Sequence, residues 1–199
     1  LTCLVIELTP GPNMGYLAVL GATAGRRAGL AAVAGLALGL LVVGVGAALG
    51  LAAVIAASPA LYEALRWAGI VYFLWLAWDG WREADEIVPE AAEVQRSNAR
   101  YFGRGLMTNL LNPKAMVFYV AVLPSFVDPA RAVAAQTLAL SLLFVVIATV
   151  LHASIVLLSS TARRFLSNAT QRRLTARALS LVLVGIALWF AWSTGRGIG

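Results

Sequence analysis

The sequence predicts an all-α membrane protein: six transmembrane helices arranged as two inverted three-helix repeats, with broken first and fourth helices. Three observations predict it. The 199 residues are 61% hydrophobic and only 12% charged, with a mean hydropathy of +0.85; a soluble domain carries roughly twice that charged fraction. Apolar runs of about 20 residues, the length a helix needs to cross a bilayer, recur six times. Two of those runs are interrupted, at Thr9-Pro10-Gly11-Pro12-Asn13 and at Asn112-Pro113-Lys114. A helix cannot continue there, because proline lacks an N–H and its ring collides with the preceding turn.

The first span covers residues 1–22, with its break at Pro10. Its opening run has no basic n-region and no small-residue cleavage site, so it reads as a span and not as a signal peptide. The second covers residues 29–57 and stops at Ser58-Pro59. Within it Gly35/Gly39 and Gly46/Gly50 are each four apart, so each pair shares a face that another helix backbone can approach closely. The third covers residues 61–81, where tryptophans near the ends fit an aromatic belt at the membrane interface. The polar segment 82–103 is the candidate hinge of a single transporter domain. It separates repeat 1 (residues 1–81) from repeat 2 (residues 104–199), and reads as a cytoplasmic linker. The fourth span, residues 105–126, carries the second break at Pro113. After the Asp128-Pro129 turn come the fifth, residues 132–160, a basic loop, and the sixth, residues 178–193.

Arginine sets the orientation, since cytoplasmic loops carry excess Lys and Arg. The loops after the first, third and fifth spans hold eleven arginines, against Arg66, Arg131 and Arg196 on the other side. Both termini are therefore expected outside. The net charge of +6 reads as membrane orientation and lipid headgroup contact rather than nucleic-acid binding. The single cysteine, Cys3, excludes an intramolecular disulfide, a CxxC redox pair and a cysteine metal cluster. No cofactor is implied.

Polar residues gather at the breaks. Each break falls nine residues into its span, counted from Leu1 and from Arg104. That is about 13 Å, near the middle of a ~30 Å hydrocarbon core. Matched breaks in oppositely directed helices are the pattern of inverted-repeat transporters, which bind substrate at the midplane. The candidate pathway is Glu7, Pro10, Gly11, Pro12 and Asn13 at the first break, with Asn109, Asn112, Pro113 and Lys114 at the second. Asn13 is expected to cap the helix that restarts after Pro12. Glu7 and Lys114 carry opposite charges, and a charge at mid-bilayer is normally paired or faces water. Glu7 is the candidate for a coupling proton or a substrate amine, and Lys114 for a substrate carboxylate. The competing readings are long side chains reaching the interface for the charged pair, and helix–helix hydrogen bonding for the asparagines. His152, the only histidine, reads first as a hydrogen-bonded core residue and second as a proton shuttle. Asp79 reads as an interfacial partner of Arg82, three residues on.

These motifs also resemble a known family. The run Leu8-Thr9-Pro10-Gly11-Pro12-Asn13, then Gly25-Arg26-Arg27-Ala28-Gly29-Leu30, resembles the start of the LysE/RhtB amino-acid exporter family. So do Gly69-Ile70-Val71-Tyr72-Phe73-Leu74 and Asn109-Leu110-Leu111-Asn112-Pro113-Lys114-Ala115. The resemblance covers nearly the whole chain. It implies a bacterial inner-membrane exporter of amino acids or close derivatives, driven by protons or the membrane potential, and a homodimer. Glu7 departs from the family, in which that position is commonly apolar. Three rivals remain. A metal-ion transporter would want clustered His, Cys, Asp or Glu; a thiol–disulfide carrier needs two cysteines; a non-transporting scaffold has little use for broken helices with ionisable residues.

Overall fold

The computed structural model describes residues 7, 11–83, 91–162 and 169–195. Cys3 and Pro10 lie outside them. The described elements are all helical: α1 Pro12–Thr23, α2 Arg26–Ala48, α3 Leu51–Ala57, α4 Pro59–Glu83, α5 Ala91–Leu110, α6 Pro113–Val117, α7 Val133–Ala162 and α8 Ala169–Gly195. A π turn, Phe118–Val122, and a 3-10 turn, Leu123–Phe126, extend α6. By length and composition, Arg26–Ala48 and Val133–Thr161 can each cross a membrane.

The central helix is α2. It packs on α5 along one side and on α7 along another, while α1 rests on α7 and α8, and α4 on α8. One core lies near the start of α2, where Leu17, Leu36, Phe73, Val156 and Ala187 are buried. A second lies further along, where Phe118 stacks on Phe144 at 3.9 Å between centroids and Tyr119 meets Phe144 edge-on. Many large apolar side chains point outward instead, among them Leu49, Val71, Val146, Leu158 and Trp192. A surface this apolar suits lipid rather than water.

Glycine explains the tight crossing of α2 and α5. A Cβ on Gly35 would sit 2.0 Å from the Phe102 carbonyl oxygen, and one on Gly105 would sit 2.1 Å from that of Ala32. Gly39 likewise admits Asn109, whose Cβ would lie 2.9 Å away. The Gly35/Gly39 pair therefore works as expected. The Gly46/Gly50 pair does not: Gly46 faces Leu51 of its own strand of chain, and Gly50 faces open space. We expect Gly35→Ala or Gly105→Ala to destabilise the fold by about 1–3 kcal/mol or more through overpacking. Gly103→Ala, where a Cβ meets nothing within 4 Å, should instead raise the thermal midpoint in detergent slightly, since alanine gains up to about 1 kcal/mol of helix propensity over glycine.

Several boundaries differ from the sequence expectation. The second span is not one helix to residue 57. It ends at Ala48, and Gly50 turns the chain with φ +88° before α3 begins. Only glycine adopts that left-handed backbone cheaply. The polar segment 82–103 is helical from Ala91, and α5 runs through Gly103 into the fourth span. The fourth span breaks where expected and resumes as only five residues of α-helix, Pro113–Val117, before the π turn. Leu123 N–H reaches back five residues to the Phe118 carbonyl. The cause is Pro124, which has no N–H for the next α-helical bond and whose ring crowds the turn before it. The sixth helix begins earlier than predicted, at Ala169. Asp79 does not pair with Arg82, whose guanidinium lies 5.2 Å above the Trp78 ring. Asp79 instead accepts hydrogen bonds from Arg100 and Arg104 of α5.

Candidate functional site

The two breaks share one local grammar. At the first, Gly11 is extended (φ −153°, ψ 174°) and Pro12 opens α1. At the second, Asn112 is extended (φ −84°, ψ 112°) and Pro113 opens α6. Proline is favoured at a first helical position, since that N–H has no intrahelical acceptor in any case. The caps differ, however. Asn112 Oδ1 accepts from the Lys114 backbone N–H at 3.0 Å. Asn13 is not a cap: it sits inside the first turn of α1, and the cap residue Gly11 offers no side chain. The start of α1 thus keeps first-turn amides that no side-chain cap satisfies.

Asn13 turns instead to the other break. Its Nδ2 donates to Asn109 Oδ1 at 3.0 Å, between residues 96 apart in sequence. Both side chains are buried. One polar atom of each is left over, Asn13 Oδ1 and Asn109 Nδ2, with no hydrogen-bond partner. One is an acceptor and the other a donor. Buried amide atoms of this kind normally find a partner, so a native exception calls for a water, an ion or a ligand.

Beside this amide pair lies a small cavity of about 10 Å³, close to the room that one water molecule takes. Six of the sequence-predicted residues line it: Glu7, Gly11, Asn13, Asn109, Asn112 and Lys114. Pro12 and Pro113 open the two helices whose first turns contribute lining residues. Pro10 is not among the described residues. Met14, Leu40 and Ala115 supply an apolar side. Glu7 and Lys114 share the cavity and act on each other electrostatically.

Sequence reasoning underweighted His152. It lines the same cavity from α7, and its Nε2 lies 3.4 Å from Glu7 Oε2 with both side chains buried. The signal was available, because an ionisable residue inside an apolar span is functional by default. A polar seam further along α2 was missed altogether. There Tyr119 donates its hydroxyl to the Leu40 carbonyl at 3.1 Å, and Gly44 leaves room for Ser141. Among the described residues no three His, Cys, Asp or Glu gather as metal ligands.

The chain is 30% identical, over 94% of its length and 92% of the relative's, to a protein of Salmonella typhimurium named homoserine/homoserine lactone efflux protein. It is 34% identical, over 73% of its length and 72% of the relative's, to a cysteine/O-acetylserine efflux protein of Salmonella choleraesuis. A Vibrio cholerae protein named only as a membrane protein is 33% identical over 66% of this chain and 64% of its own length. No solved structure matches. The family model described as LysE type translocator matches residues 4–194, and with nearly the whole chain inside that match the protein belongs to the LysE type translocator family.

Proposed function

We propose that the protein is a secondary active exporter of amino acids or closely related small metabolites across the bacterial cytoplasmic membrane. The observation that carries the reading is the Asn13–Asn109 hydrogen bond, which joins two helix breaks around a cavity holding Glu7, Lys114 and His152. Such a cavity offers both signs of charge, as a zwitterion requires. The uncapped start of α1 and Lys114 suit a carboxylate, since helix N-termini attract anions. Glu7 and the free Asn13 carbonyl oxygen suit an ammonium group. Relatives named for efflux of homoserine, leucine and cysteine or O-acetylserine support this substrate class.

The mechanism we favour is alternating access, with Glu7 carrying a coupling proton and His152 exchanging with it. Helix packing supports two inverted repeats. The first broken span packs on α7, the middle helix of the second repeat, and the second broken span packs on α2, the middle helix of the first. That reciprocity is what a two-fold axis in the membrane plane produces. The same reading places the arginine-rich loops in the cytoplasm and both termini outside, and includes a homodimer.

The test is counterflow in proteoliposomes over a panel of amino acids. Uptake of labelled homoserine, leucine or cysteine against an internal unlabelled pool is the expected result. Failure of every amino acid, in protein that is monodisperse and inserted, would reject the substrate class. Topology is tested by cysteine labelling: a cysteine at Arg96 or Asn168 is expected to react only from the cytoplasmic side.

A further inference from the structure

Helices α4 and α5 follow one another in the chain, and among the described residues their backbones scarcely approach each other. What joins them is polar. Asp79, near the end of α4, accepts from Arg100 at 3.0 Å on both carboxylate oxygens and from Arg104. Tyr72, two turns earlier, donates its hydroxyl to the Arg104 backbone carbonyl at 2.9 Å. The Arg104 guanidinium also lies 5.6 Å from the rings of Trp75 and Tyr101. Its side chain is only 7% exposed, whereas that of Arg100 is 48% exposed.

The position of this cluster is informative. Gly105 meets Ala32 of α2, and Asn109 meets Gly39. Arg104 therefore sits five residues before the cavity along α5, about 7.5 Å, toward Arg26 and Arg27 at the start of α2. The cluster lies on the arginine-rich side of the cavity along α5.

We infer that Asp79, Arg104 and Arg100 form a gate that closes the cavity on the arginine-rich face and parts when the cavity opens there. The reading rests on transport only in requiring that the cavity open. Exposed ion pairs exchange readily with water, so Arg100 can let go. Arg104 is different: its guanidinium is buried, and removing Asp79 takes a counter-charge from it, which favours the state in which water reaches it. The α2–α5 crossing has no such freedom, because its glycine contacts are backbone against backbone. When the gate parts, α5 stays with α2, and α4 moves away with α8, the helix it packs on.

The test reads access and not transport. In a Cys3→Ala background a single cysteine replaces Ala115 on the cavity wall. Its reaction with a membrane-impermeant maleimide is timed in vesicles of both orientations. Asp79→Asn should raise the rate from the arginine-rich face about tenfold, as a two-state population shifts on losing a charge-assisted contact. Tyr72→Phe removes one hydrogen bond and should act in the same direction, about two- to threefold. It keeps the test open if Asp79→Asn fails to insert. Unchanged rates in the variants that insert, or an equal rise from both faces, overturn the gate. Altered labelling without any amino-acid flux leaves the gate standing and removes the export reading.

Discussion

Replacing Pro10, Gly11 and Pro12 together with alanine is expected to abolish transport in a protein that still inserts. The substitutions raise helix propensity by about 7 kcal/mol in sum, roughly 3 for each proline and 1 for the glycine. A continuous helix then replaces the extended residue at Gly11, and its backbone bonds consume the first-turn amides of α1. The turn that presents Asn13 to Asn109 is lost with them. Flux should fall by about a hundredfold or more, since each 1.4 kcal/mol is a factor of ten. Insertion is followed by yield and monodispersity in detergent. Normal flux in an inserted triple variant would remove the site from the first break.

Glu7→Gln is the second large effect. Glutamine keeps the shape and the hydrogen-bonding reach of glutamate but cannot carry a proton. Glu7 is buried 3.4 Å from His152 and shares its cavity with Lys114, the two other titratable groups facing it there. Export in exchange for protons is accelerated by an inward proton gradient. We expect Glu7→Gln to lose that acceleration, about tenfold or more, while retaining substrate binding. Binding is read by substrate protection of a cavity cysteine. A gradient dependence that survives in Glu7→Gln would show Glu7 to be structural, and His152→Gln would then be the variant that loses it.

The breaks are legible in the sequence because proline acts locally: its missing N–H stops a helix whatever surrounds it. Glu7 and Lys114 are legible for a similar reason, since a charge in an apolar span must be accommodated somewhere. What the two breaks do to each other is not legible. Asn13 looks like a cap from its neighbours, and only the packing of α1 and α5 around α2 and α7 brings Asn109 within 3.0 Å. Asp79 misleads in the same way, because Arg82 lies at a favourable helical spacing while its true partners come from α5. Gly50 is misread as a packing glycine because glycine is common in membrane helices, and spacing does not reveal a positive φ. Local chemistry carries the site residues, then, and tertiary packing decides their partners.

The span of 96 residues between Asn13 and Asn109 also bears on how the protein is made. At about 5–20 residues per second of synthesis, the first asparagine waits some 5–20 s for the second to leave the ribosome. Throughout that interval Asn13 is a polar group without the amide that it pairs with in the folded protein. Hydrocarbon punishes such a group, so the early half must be held near water or an insertion factor. The pairing that joins the two breaks therefore comes only after the second break has been made.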